Sequence, residues 1–99
     1  MSEEIIAKAK DLRVLILALG PEESLPWHRH TEVTETIVCS EGPIQIELRH
    51  RDQVRILEAG ELTSIEPGQS HQVCGVNGKP CKFLLILGVG NWDLILDVQ

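Results

Sequence analysis

Ile44, Ile46 and Leu48 alternate with Gln45 and Glu47, the period-two pattern of a strand with one face in a core. Short runs rich in Val, Ile, Leu and Thr fill residues 33–40, 54–57, 62–65, 71–76 and 82–89, and each reads as a strand. Between them stand Gly20-Pro21, Pro26, Gly42-Pro43, Gly60, Pro67-Gly68 and Gly78-Lys79-Pro80. These are turn signals, because glycine supplies positive φ and proline fixes φ. Arg49-His50-Arg51-Asp52 reads as a charged hairpin tip. No long amphipathic helix interrupts the pattern, so the fold class is all-β, a sandwich or barrel.

Residues 14–19 and 83–87 are apolar on both faces, and residues 94–96 are so in part. In a closed barrel one face fills the interior, and the other must meet a second sheet or a partner chain. The pattern therefore predicts a homodimer, against the alternative that these strands are internal to a two-sheet sandwich. Residues 1–11 carry a mixed charged pattern that fits either a frayed arm or a helical turn. Residues 12–99 make up the barrel.

A length of 99 residues with 42% hydrophobic content allows one modest core and no second domain. The net charge of −6 gives no counterion-release drive toward nucleic acid and disfavours anionic membranes. Lys8, Lys10 and Arg13 before the apolar run superficially resemble the start of a signal peptide. Glu3, Glu4 and Asp11 break that basic region, and the run is too short to span a membrane. Cys39, Cys74 and Cys81 match no zinc-ribbon or CxxC spacing, and an odd count favours free thiols in a reducing cytosol. Cytoplasmic location is the default expectation.

The informative stretch is Trp27-His28-Arg29-His30-Thr31-Glu32-Val33-Thr34-Glu35. On extended chain His28 and His30 point to one face and can reach one metal ion. Glu35 can add a carboxylate from the next strand, and His71 follows the Pro67-Gly68 turn on a distant one. Glu32 reads as a solvated loop residue. Three imidazoles and a carboxylate suit one divalent transition metal, Fe, Mn, Ni, Co, Cu or Zn, with positions left for water or substrate. An isolated HxH pair is weak evidence, because histidines cluster by chance. Here three of the four histidines share one pattern, and His50 sits in the charged tip.

His28-x-His30-x4-Glu35-x6-Gly42 resembles the first motif of the cupins. Gly60, Pro67, Gly68 and His71 resemble the second. Gly20 stands two residues further from His28 than the usual glycine, Glu66 replaces a frequent proline, and Gly75 replaces a frequent asparagine, with Asn77 nearby. None of these departures removes a ligand position. The two motifs and the segment between them cover about half the chain. The resemblance implies a single-domain jelly-roll (double-stranded β-helix) barrel of about six to eight strands. It also implies that His28, His30, Glu35 and His71 are the metal ligands.

Parity places Glu35, Ile37 and Cys39 on one face, and His71 and Val73 inward with Cys74 outward. Cys39 is then either a small buried hydrophobe or a reactive thiol. Cys81 follows Pro80 at a turn, which predicts partial exposure. Trp27 fits a cap on the barrel mouth or packing in a core or dimer contact. The chain has no tyrosine, so a tyrosine acid/base is excluded. The inward positions are mostly aliphatic, which predicts a small pocket with the metal as its main polar feature. Folds host many chemistries, so three functions remain. One is an oxygenase- or isomerase-type enzyme on a small organic molecule, with Glu35 as candidate base. The others are a non-catalytic small-molecule binding module and a structurally metallated barrel.

Overall fold

The alternating residues become strands because each can bury one row of side chains against a facing sheet. The structure is a computed structural model in which residues 1–49 and 52–97 are described; His50 and Arg51 of the expected charged tip lie outside them. The strands are β1 (Ser2–Ala9), β2 (Leu12–Leu19), β3 (Ser24–Arg29), β4 (Glu35–Glu41), β5 (Ile44–Leu48), β6 (Gln53–Leu57), β7 (Leu62–Ile65), β8 (His71–Gly75), β9 (Cys81–Gly88) and β10 (Ile95–Leu96). One sheet has the order β1-β2-β9-β4-β7, the other β10-β3-β8-β5-β6. Every pairing is antiparallel. Sequence neighbours repeatedly fall in opposite sheets, the winding of a jelly roll.

The inner faces carry the core. Leu15, Leu17 and Leu19 of β2, Ile37 and Cys39 of β4, Ile44, Ile46 and Leu48 of β5, and Phe83, Leu85 and Leu87 of β9 are all buried. Each such aliphatic side chain contributes roughly 1.5–3 kcal/mol relative to exposure. The apolar outer face of the first sheet has a different fate. Val14 pairs with Ile86, Ile16 with Leu84, and Val38 with both Leu84 and Leu62. These side chains point away from the core, and Leu62 is 61% exposed.

Residues 2–9, which sequence left between an arm and a helical turn, form a strand. It runs from Ser2 opposite Ala18 to Ala9 opposite Leu12, with an irregularity between Ile5 and Ala7. All eight residues are exposed, so β1 is an arm strand laid along the sheet edge. Its charged residues hid the period-two signal.

The turn glycines position the site. Gly68 adopts φ +82° after Pro67, and its N–H donates to the His30 carbonyl at 2.7 Å. The turn before His71 is thereby tied to the segment carrying His30. Gly75, where the related motif often has asparagine, meets a different demand. A Cβ there would sit 1.8 Å from the Lys79 carbonyl oxygen, so only glycine fits.

Candidate metal centre

His28 lies on β3 directly opposite His71 on β8, and their ring centroids are 4.2 Å apart. His30 follows immediately after β3. Glu35 opens β4 in the facing sheet, between Leu87 and Ile65. The four side chains thus span the sandwich, and all four are buried.

The imidazole tautomers follow from their partners. His28 Nδ1–H donates to the Pro26 carbonyl at 2.7 Å, His30 Nδ1–H to the Asp93 carbonyl at 2.5 Å, and His71 Nδ1–H to the Gln69 carbonyl at 2.9 Å. A carbonyl can only accept, so each Nδ1 carries the proton. In the neutral rings every Nε2 then presents a lone pair to the centre. The His30 and His71 Nε2 atoms lie 2.9 Å from Glu35 Oε1, and His28 Nε2 lies 3.7 Å away. Acceptors facing one another in a dry interior repel unless a cation or protons join them. Without a metal, protons supply the link. Burial pushes the Glu35 carboxyl up, but the three imidazoles around it, with His30 and His71 at hydrogen-bond distance, outweigh that and hold the group well below 4.5. Burial lowers His30, and the Glu35 contact outweighs it, so that imidazole is raised above 6.5.

The donor set fits a metal ion. Its four candidate ligand atoms all lie within 4.8 Å of one another. Bonds of about 2.1 Å at right angles would separate two donors by about 3.0 Å. Glu35 Oε2 is buried with no hydrogen-bond partner, an acceptor left for a cation.

The cluster is reached from one side. A cavity of about 290 Å³ opens at the barrel mouth, and His28 and His30 stand in its wall. Leu15, Leu17, Leu25, Leu85 and Leu87 stand in the same wall. Glu35 and His71 lie behind the two wall histidines. The aliphatic pocket expected from strand parity is therefore present.

The structure places several residues that the sequence left open or put elsewhere. Trp27 packs on the outside under Arg49, whose guanidinium carbon is 4.5 Å from the ring centroid. The mouth tryptophan is Trp92, whose ring centroid is 6.3 Å from that of His30. Its neighbour Asp93 accepts from the Thr31 N–H at 2.8 Å and the Thr31 hydroxyl at 2.6 Å, which fixes the carbonyl that orients His30. No motif signals this support, because residues 92–93 reach the site only through the tertiary fold. Cys81 is buried rather than partly exposed, and burial pushes its thiol up to about 11. Cys39 is also buried, with its thiol raised by burial, which suits a small hydrophobe better than a nucleophile. Cys74 is half-buried, and Glu32 is exposed.

Fold and site together define a small double-stranded β-helix barrel with an interior His3Glu cluster that could hold an ion. The cupin-domain family model matches residues 15–87. This chain belongs to the cupin family. No curated protein matches the sequence significantly. Among solved structures, it is similar to an uncharacterized conserved protein with a double-stranded β-helix domain from Klebsiella pneumoniae subsp. pneumoniae MGH 78578. That match has a TM-score of 0.84 and 20% identity, over 99% of this chain and 84% of that one. It is also similar to a cupin-2 domain containing protein from Shewanella frigidimarina NCIMB 400, with a TM-score of 0.72 and 29% identity, over 86% and 78% of the two chains. A recombinant oxalate oxidase in complex with glycolate matches with a TM-score of 0.74 and 17% identity, over 87% of this chain and 46% of that one. Among the described residues, no helix is long and apolar enough to cross a membrane.

Proposed function

We propose that this protein is a metal-dependent enzyme of oxygenase or isomerase type acting on a small organic molecule. One divalent transition ion, Fe, Mn, Ni, Co, Cu or Zn, would be held by His28, His30, Glu35 and His71. The observation that carries this reading is the convergence of four buried acceptors beneath a cavity that reaches two of them. A structural site would be closed on all sides, whereas here the histidines form the cavity wall. Such an ion would supply Lewis-acid polarisation of a bound oxygen atom, or a redox centre. The chain itself orients the three rings through main-chain carbonyls, excludes water with leucine side chains and leaves the cavity side open to substrate. Glu35, with one unpartnered oxygen, is the candidate base.

The test begins with metal content by mass spectrometry on protein purified without a nickel column. Wild type should hold close to one equivalent, and His28→Ala below about one tenth, because losing a direct ligand exceeds the 10–100-fold typical of supporting residues. Oxygen uptake with small thiols and diols then screens iron-loaded protein for turnover. A Glu35→Gln variant that keeps its metal and full turnover would remove the base role. A non-catalytic binding module is the second reading, favoured by the aliphatic wall. It predicts a small molecule that binds reversibly and leaves unchanged.

The uncovered outer face of the first sheet supports a homodimer. Leu84 lies at its centre, flanked by Ile16 and Val38. Light scattering should give about twice the 11.0 kDa chain mass, and Leu84→Glu should halve it with far-UV circular dichroism unchanged. A wild-type mass of one chain overturns the dimer.

A further inference from the structure

Arg13 is the cation at the barrel mouth that the metal chemistry leaves unused. It has the same parity on β2 as the buried Leu15 and Leu17, so its side chain lies on the inner face. It stands in the wall of the cavity that also contains His28 and His30. Its guanidinium carbon is 4.1 Å from the Trp92 ring centroid, and Trp92 lies against His30. The indole therefore links the guanidinium to His30 at the cavity mouth. Across the ladder, Lys8 is directly opposite Arg13. Like charges at paired positions on one face are unfavourable unless an anion lies between or near them. Among the described residues, no carboxylate is within ion-pair distance of either cation. Glu3, the one carboxylate in the cavity wall, is opposite Leu17 and makes no ion pair with Arg13. In a chain of net charge −6, Arg13, with Lys8 beside it on the neighbouring strand, puts positive charge on one side of a cavity whose lining beyond Glu3, His28 and His30 is apolar.

We infer that Arg13 is the specificity-determining residue of this cavity and that its ligands are small carboxylates with an apolar body. The inference rests on the functional reading above only for the place of the ligand's far end, toward the metal. The guanidinium donates a bidentate pair of hydrogen bonds to the carboxylate, the leucine wall covers the body, and the far end points to His28 and His30. Lys8 adds charge without fixed geometry. Recognition is therefore of charge and shape together. A neutral amide of the same length fills the wall and leaves the guanidinium without its anion.

The probe is hexanoate, titrated by isothermal calorimetry into zinc-loaded and chelator-treated full-length protein, with hexanamide as the uncharged isostere. Arg13→Gln and Arg13→Lys are compared with wild type after their thermal midpoints and metal content are measured. The expected result is hexanoate binding at least tenfold tighter than hexanamide. Arg13→Gln should weaken hexanoate at least tenfold with metal content unchanged. Arg13→Lys should fall between, because lysine keeps the charge but loses the planar fork. Hexanoate binding within twofold of wild type in a folded Arg13→Gln overturns the inference, as does equal binding of the amide or no binding of hexanoate. If wild type takes up no metal yet the Arg13 dependence persists in chelator-treated protein, the metal reading fails and the carboxylate subsite stands. If metal is bound at one equivalent and the Arg13 dependence is missing, the reverse holds.

Discussion

Stripping divalent metal with a chelator is expected to lower the midpoint of thermal unfolding by about 10–20 °C. A ligand that binds only the folded state at 100 times its dissociation constant stabilises by about 2.7 kcal/mol. For a domain of this length, each kcal/mol moves the midpoint by about 4–8 °C. The unfolded chain cannot reproduce the site, because His71 lies 36 residues beyond Glu35 in the sequence. The metal-free protein also faces the convergence of three Nε2 atoms on one carboxylate oxygen. Differential scanning calorimetry with and without chelator, followed by readdition of one equivalent of zinc, measures the effect. The shift should shrink as pH falls, because protons compete with the metal for the same nitrogens. In His71→Ala the chelator should change the midpoint by less than about 3 °C, since binding at 100 times the wild-type constant is no longer reached. A wild-type midpoint indifferent to chelator and to added metal would falsify the metal centre.

Phe83→Ala should cost about 3–5 kcal/mol, a large share of the 5–15 kcal/mol typical of a native domain. Phe83 is the single phenylalanine of the chain and is fully buried on β9, opposite Leu17 of β2 and Cys39 of β4. Three central strands lose their shared contact, and both neighbours are pinned by their own hydrogen bonds, so the cavity cannot collapse fully. The thermal midpoint should fall by about 15–30 °C. Val89→Ala is the contrasting control. Val89 is 75% exposed, and the change should stay within about 0.5 kcal/mol. Phe83 lies four residues along β9 from Leu87, the partner of Glu35, about 13 Å away. Phe83→Ala that still folds should therefore keep its metal stoichiometry. Chemical denaturation and metal analysis on one preparation separate the two effects.

Much of the barrel was legible because its strands alternate. Residues 44–48 and 62–65 form β5 and β7 at the boundaries the pattern gave, and β4, β6, β8 and β9 shift by one or two residues. β1 was not legible, because an exposed strand carries no buried row, and its Glu3, Glu4 and Lys8 fit a frayed arm or a helical turn equally. The cluster was legible in residue type and order. His28 and His30 share a face by local parity, and His71 follows a turn whose geometry demands glycine.

What sequence alone determined was the all-β class, the cupin resemblance and the four residues that meet, because alternation and turn chemistry act over a few residues. Only the tertiary structure decided which neighbours those residues have. Arg13 stood before the apolar run 14–19 with no role assigned to it, until pairing with β1 and β9 placed it on the inner face. Trp27 stood beside the histidines in the chain, yet parity turned it outward, and Trp92 reached the mouth from 62 residues beyond His30. Asp93 orients His30 through a carbonyl that carries no side-chain signature at all. Such contacts depend on where the chain returns after many strands, and that is set by the packing of two sheets rather than by any local pattern.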